Sequence, residues 1–180
     1  VMLEEVILAL SPHPGSFQID ATVGGGGHAV QILEAATPGG RLLGIDADAR
    51  AIRRSRQRLA DYGDRAVVRQ ANFESMADVA NENGFESVDG ILMDLGVSSQ
   101  QLDDDERGFS FRSTDELDMR FDTSVGIPAS EVVATYSEAR LADVFKRHGE
   151  EPHAKRIARS IVAARADGPI ETPVRLAEIV

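Results

Sequence analysis

A glycine-rich stretch from Asp20 to His28 has the residue types of a ligand-binding loop. It reads D-A-T-V-G-G-G-G-H. Glycine permits positive φ and removes the Cβ, so backbone N–H groups can approach a ligand closely. The apolar alternation over residues 17–23 predicts a strand before the loop, and apolar residues at helical spacing predict a helix after it. The free N–H groups and partial positive charge at the start of that helix should face the ligand.

Acidic residues accompany the predicted ends of three of the four strands, at Asp20, Asp46 and Asp94. In an open α/β sheet, ligands bind outside the carboxyl ends of the strands. Asp46 lies 22 residues after Gly24, the spacing at which an acidic residue binds the ribose hydroxyls of an adenine nucleotide. Phe73 follows the remaining strand and is placed to pack on an adenine ring. The pattern therefore predicts a cofactor that contains adenosine.

Electrostatics separates the two cofactors that this loop could bind. The series Gly24-x-Gly26-x-x-Ala29 also fits the loose dinucleotide pattern, so NAD is an alternative. A pyrophosphate beside Asp20 and Asp94 would meet like charges, at roughly 3 kcal/mol per pair for about 6 Å and an effective dielectric near 20. The loop itself contains no Lys or Arg. S-adenosyl-L-methionine carries a sulfonium and an ammonium, so the carboxylates favour a class I methyltransferase over an NAD-linked oxidoreductase or a non-catalytic nucleotide-binding domain.

Alternating strands and helices must position these residues. Strand and helix patterns alternate four times with short connections, which indicates a doubly wound, Rossmann-like α/β sheet. The predicted strands are residues 17–23, 41–46, 66–70 and 88–95. After Leu95 the sequence becomes polar, and helices are predicted near 137–148, 152–166 and from 173 onward. We therefore expect a cofactor-binding core over 1–97 and an inserted helical substrate-recognition domain over 98–180. Because such a sheet normally has more strands, we expect a chain truncated at its C-terminus.

Composition excludes several other classes of protein. The 180 residues contain no cysteine, which rules out disulfides and thiolate metal sites and fits a reducing cytoplasm. No apolar stretch approaches the roughly 20 residues of a membrane span, and no metal-binding motif is present. The net charge of −11 argues against indiscriminate binding to nucleic acid. The basic cluster over residues 146–159 is then either an RNA contact or a solvated helix face.

Longer motifs point to a particular protein family. T-V-G-G-G-G-H, G-I-D-A-D, M-D-L-G-V-S-S-Q-Q-L-D, R-G-F-S-F, D-E-L-D-M-R and G-E-E-P-H-A-K-R-I-A-R-S-I-V follow one another in that order. Together they resemble the MraW/RsmH family of bacterial 16S ribosomal RNA cytosine-N4 methyltransferases, and the resemblance covers essentially the whole chain. It implies S-adenosyl-L-methionine as cofactor, 16S rRNA of the small ribosomal subunit as partner, and a helical domain inserted after the fourth strand.

The chemistry of this reaction and the resemblance predict roles for individual residues. Asp94, or the carbonyl of Leu95, is expected to accept an N–H of the target amine, which makes Asp94 the catalytic candidate. Phe109 and Phe111 are expected to offer stacking surfaces to the RNA base. The implied cofactor contacts are Gly26, Gly27, His28, Asp46, Phe73, Asp94 and Gln101.

Overall fold

The chain folds into two compact units, Val1–Gly96 and Val97–Val180. The structure is a computed structural model that describes residues 2–180, apart from the side chain of residue 105. Within that range, no helix combines the length and the apolar character needed to cross a membrane.

The first unit is a parallel sheet flanked by helices. Its strand order is β3-β2-β1-β4, and every neighbouring pair is parallel. The strands are β1 (Phe17–Asp20), β2 (Arg41–Asp46), β3 (Ala66–Gln70) and β4 (Gly90–Leu92), and the helices are α1 (Leu3–Leu10), α2 (Gly27–Ala35), α3 (Ala49–Arg58) and α4 (Met76–Glu82). The chain builds outward from β1 to β3 and then crosses to the other side of β1. This order confirms the doubly wound fold and puts its topological switch point between β1 and β4.

The two faces of the sheet carry separate apolar cores. Leu42 packs with Ile32 of α2 and Ile52 of α3 on one face. Leu43 and Ile45 pack with residues around α4 on the other. Because both of its faces are covered, β2 reads as a continuous apolar run rather than as an alternating one.

Two strands are shorter than the sequence predicts. β1 ends at Asp20 rather than Val23, because the chain turns back over the sheet: the N–H of Val23 donates to the carbonyl of Ile45 at 2.9 Å. The alternation continues beyond the strand because Val23 is buried over Gly44, where an added Cβ would lie 2.9 Å from its Cγ2. β4 covers only Gly90–Leu92 of the predicted 88–95.

The second unit is helical. Its helices are α5 (Ser99–Leu102), α6 (Ala129–Thr135), α7 (Glu138–Gly149), α8 (Ala154–Asp167) and α9 (Pro173–Ile179). The helices predicted near 137–148, 152–166 and from 173 onward correspond to α7, α8 and α9. The sequence does not predict α6, since Val132, Val133 and Thr135 are β-branched residues with low helix propensity. The core of this unit forms around Leu141, Ile157, Ala158 and Ile161.

Candidate functional site

The glycine loop leads from β1 into α2 and requires glycine at two positions. Gly24 has φ +52° and Gly26 has φ +79°, a region that L side chains rarely adopt. Gly26 is the N-cap of α2 and donates its N–H to the carbonyl of Val23 at 2.8 Å. The helix starts at Gly27, where an added Cβ would meet no atom within 4 Å. The loop thus presents open backbone at the start of α2.

Asp46, at the end of β2, holds this loop in place. Its Oδ2 accepts the N–H of Gly24 at 2.9 Å, and its Oδ1 accepts the N–H of Asp48 at 2.9 Å. Burial raises the pKa of the Asp46 carboxyl, while these two hydrogen bonds act in the opposite direction. A carboxylate oxygen has two lone pairs, so each oxygen can still accept a hydroxyl from a ligand.

Asp20, at the end of β1, is a buried carboxyl with an unsatisfied oxygen. It is 1% exposed. Its Oδ1 accepts the N–H of Thr22 at 3.2 Å, and its Oδ2 has no hydrogen-bond partner among the described residues. Burial above all, together with the nearby charges of Asp46 and Asp94, raises the pKa of Asp20 to about 7, against hydrogen bonds from Thr22 that lower it. Burying such a group without a partner is unfavourable, which indicates a position where a cationic group would be stabilised.

Asp94 lies on the other side of the switch point, after β4. It is exposed, and its backbone N–H donates to the Thr22 hydroxyl at 2.8 Å. Thr22 therefore connects Asp20, through its own backbone N–H, to the segment that carries Asp94. The two carboxyl groups flank the crevice where a doubly wound sheet binds its ligands.

The remaining candidates in the first unit lie at the same edge. His28 occupies the first turn of α2. Phe73 follows the end of β3, where the Asn72 side chain accepts the N–H of Glu74 at 3.0 Å and begins a 3-10 turn. Phe73 is 44% exposed. The structure thus brings six of the seven predicted cofactor residues to the carboxyl edge of one sheet: Gly26, Gly27, His28, Asp46, Phe73 and Asp94.

Gln101 belongs to the second unit and has a local structural partner. It is buried, and its Oε1 accepts the N–H of Ser98 at 2.9 Å and the Ser98 hydroxyl at 3.1 Å. Ser98 in turn accepts the N–H of Gln101, which completes a capping box at the start of α5. The S-S-Q-Q sequence has the spacing of this motif. A cofactor contact for Gln101 stays a prediction.

Sequence reasoning missed two residues at the loop. Arg58, in the last turn of α3, donates from Nη1 to the carbonyl of Gly25 at 3.5 Å, so a cation lies beside a loop that has none of its own. A pyrophosphate is therefore disfavoured by the buried Asp20 carboxyl and not by a lack of positive charge. Thr22 is the other missed residue, because only the fold brings its hydroxyl to Asp94.

The sheet order, the switch point and the glycine loop define a doubly wound α/β protein of the Rossmann-like class. The chain belongs to the MraW methylase family, whose model matches residues 1–180. Over its full length it is 50% identical to a ribosomal RNA small subunit methyltransferase H from Syntrophotalea carbinolica and 48% identical to one from Symbiobacterium thermophilum. The chain spans 57% of the length of these two curated relatives. A SAM-dependent methyltransferase structure from Geobacter sulfurreducens in complex with S-adenosyl-L-homocysteine is 15% identical, with 98% of this chain and 78% of that chain covered and a TM-score of 0.37.

Proposed function

We propose that this chain is part of an S-adenosyl-L-methionine-dependent methyltransferase that modifies the N4 amine of a cytidine in 16S rRNA of the small ribosomal subunit. Family membership and the names of the curated relatives support the reaction class and the ribosomal RNA substrate. The observation that carries the cofactor assignment is the unsatisfied Oδ2 of Asp20, buried between two further carboxylates. The oxidoreductase alternative lacks any comparable support. A ribosomal substrate would place the protein in the cytoplasm.

The residues at the sheet edge fit the chemical groups of this cofactor. When bound, S-adenosyl-L-methionine supplies a methyl group made electrophilic by its sulfonium. Asp20 and Asp94 provide negative charge for its cationic groups, and Asp46 has lone pairs left for ribose hydroxyls. Phe73 offers an exposed ring for the adenine. Gly26, Gly27 and His28 are assigned to the same ligand at the start of α2.

Asp94 is assigned the catalytic role in this proposal. The cytosine N4 amine is a poor nucleophile because its lone pair is delocalised into the ring. An acceptor for one of its N–H groups turns the lone pair toward the methyl, and a positioned proton acceptor contributes about 10²–10⁴-fold to the rate. The Asp94 carboxylate is exposed at the switch point, and the carbonyl of Leu95 follows it in the chain. Either oxygen can act as that acceptor.

The second unit, Val97–Val180, which corresponds to the predicted domain over 98–180, is assigned to substrate recognition. A target base must leave its stack to react, and an exposed aromatic ring can then hold it. Phe111 is 67% exposed, and the Arg112 guanidinium lies 5.3 Å from its ring centroid. Phe109 instead packs on Phe121, with ring centroids 5.3 Å apart. Phe111 is therefore the better candidate of the two predicted stacking residues.

Mass mapping of modified nucleosides in small-subunit RNA tests the proposal. RNA from cells that lack the gene should lose N4-methylated cytidine at one position, and the restored wild-type gene should return it. Unchanged RNA would overturn the proposed substrate. Calorimetry on the purified protein with S-adenosyl-L-methionine and with NAD tests the cofactor separately, and binding of NAD alone would overturn that assignment.

A further inference from the structure

An exposed basic patch lies where α7 ends and α8 begins. The two helices pack against each other, and four residues connect them. Residues 146–159 contain five Lys or Arg and two acidic residues, in a chain whose net charge is −11. All five basic side chains are exposed. We call this set the α7–α8 basic patch: Lys146, Arg147, Lys155, Arg156 and Arg159.

Only part of this charge is paired within the protein. Arg147 lies 3.3 Å from Asp143, and Arg159 lies 3.6 Å from Glu138. Such exposed pairs are weak and easily exchanged. The side chains of Lys146, Lys155 and Arg156 form no ion pair or hydrogen bond with any residue in the described part of the chain. The patch therefore has three cations available to a partner and two more held loosely.

Helix electrostatics do not explain Lys155 and Arg156. Basic residues in the last turn of α7, such as Lys146, are favourable because they face the negative end of the helix dipole. Lys155 and Arg156 occupy the first turn of α8, where positive charge is unfavourable; the first turn itself contains no acidic residue, and the carboxylate before it, Glu151, accepts the N–H of His153 at 2.7 Å. The buried face of α8, which includes Ala154 and Ile157, leaves both side chains on the solvent side. Two adjacent exposed cations at the start of a helix break a local rule, and such sites are often functional.

We infer that the α7–α8 basic patch binds phosphates of the ribosomal RNA substrate, with Lys155 and Arg156 as its principal contacts. This inference rests on the proposed function. A strongly acidic chain repels RNA over most of its surface, so a local basic patch decides which face the RNA approaches. Lys and Arg neutralise phosphates without reading sequence. The patch thus orients the substrate, and methylation specificity comes from other residues.

Salt dependence of RNA binding tests this inference in the full-length protein. A small-subunit rRNA fragment carrying the methylated cytidine serves as the probe, and its affinity is measured by fluorescence anisotropy at several NaCl concentrations. Each phosphate contact contributes about 0.7–0.9 to the slope of log affinity against log salt. The Lys155→Ala/Arg156→Ala variant should lower that slope by about 1.4–1.8 and weaken binding about tenfold or more near 0.1 M salt.

A matched variant separates local contact from net charge. Arg53→Ala/Arg175→Ala removes the same charge from exposed positions on α3 and α9, and it should leave the slope nearly unchanged. Equal slopes for the two double variants would overturn the inference. The inference would also be overturned if Lys155→Ala/Arg156→Ala bound the RNA fragment normally but no longer bound assembled small subunits, because that result would indicate a protein partner.

Charge reversal separates an RNA contact from a structural role. Lys155→Glu/Arg156→Glu places favourable charge at the start of α8, so the melting temperature should rise by about 1–3 °C while RNA affinity falls. If the melting temperature and the RNA affinity of this variant both fell, the inference would be overturned. The proposed function fails independently, if wild-type protein does not methylate small-subunit RNA. If the wild-type protein methylates this RNA but Lys155→Ala/Arg156→Ala has the wild-type salt slope, only the role of the α7–α8 basic patch is overturned.

Discussion

The carboxylate of Asp46 fixes the backbone of Gly24, because Oδ2 accepts its N–H at 2.9 Å across 22 residues of sequence. The end of the second strand thereby sets the position of the loop that follows the first. The same carboxylate accepts a second backbone N–H, from Asp48. Asp46 therefore shapes the site in addition to any contact with a ligand.

Asp46→Asn should destabilise the protein and weaken cofactor binding. An amide presents an NH2 where one of the two backbone N–H donors now points, so one hydrogen bond is lost and a donor is left unsatisfied. We expect a loss of about 1–3 kcal/mol in the free energy of unfolding, measured by urea denaturation, and at least tenfold weaker cofactor binding by calorimetry. Asp48→Asn is the control, because Asn replaces Asp well at a helix N-cap. Equal effects of the two substitutions would contradict this role.

Asp20 should make stability fall as pH rises toward neutrality. Its pKa of about 7 in the folded protein exceeds the ordinary value of 3.8, so between these values the folded state retains a proton that the unfolded state releases. The stabilisation is complete below about pH 4 and is lost as pH approaches 7, by up to about 1.4 kcal/mol per pH unit. Denaturation of Asp20→Asn across the same range should lack this component. If Asp20→Asn kept the wild-type dependence of the free energy of unfolding on pH, that dependence would come from other groups.

Cofactor affinity should depend on pH through the same residue. A cationic ligand favours the ionised form of Asp20, so below pH 7 its binding must release the proton. The affinity for S-adenosyl-L-methionine should rise with pH up to about 7, by at most about tenfold per unit. S-adenosyl-L-homocysteine lacks the sulfonium but keeps the ammonium, so a shallower dependence for this control ligand would assign Asp20 to the sulfonium and an equal dependence would assign it to the ammonium. Calorimetry in buffers of different ionisation enthalpy measures the proton released on binding. If no proton is released below pH 7, Asp20 does not bind the cationic cofactor.

Asp94→Ala should abolish methyl transfer and leave the fold intact. The contact of residue 94 with Thr22 uses the backbone N–H, which alanine retains. Removal of a positioned proton acceptor lowers rates by about 10²–10⁴-fold, measured with radiolabelled cofactor and small-subunit RNA. Circular dichroism is the control for folding, and cofactor affinity is measured separately because Asp94 is also assigned to the cofactor. Near-normal transfer would remove Asp94 from the mechanism and leave the Leu95 carbonyl as the acceptor.

Phe111 and Phe109 should respond differently to truncation. Phe111 is exposed, so Phe111→Ala should leave the melting temperature unchanged and reduce methyl transfer. Phe109→Ala removes the ring pair with Phe121 and should lower the free energy of unfolding by about 1 kcal/mol or more. Thermal denaturation and the transfer assay distinguish the two. Unimpaired transfer by Phe111→Ala would exclude this ring from binding the base.

Local patterns were sufficient to predict most elements of the fold. β2 and β3 have the predicted bounds, and for β2 the reason is that a buried parallel strand leaves a continuous apolar run between turn residues. Thr172 and Pro173 start α9 as expected, with the Thr172 hydroxyl accepting the N–H of Arg175 at 3.3 Å. α6 was missed because its packing against α8 overrides the weak helix propensity of its β-branched residues.

The residue types at the site could be read from the sequence, since a glycine loop and acidic strand ends are local features. Tertiary structure decided how these groups interact. Only the fold buries the Asp20 carboxyl, brings Arg58 to the Gly25 carbonyl and joins Thr22 to the backbone of Asp94. The physical reason is that burial and hydrogen bonds between distant residues depend on the order of the strands in the sheet. Spacing along the chain indicates only which residues lie at the carboxyl edge of that sheet.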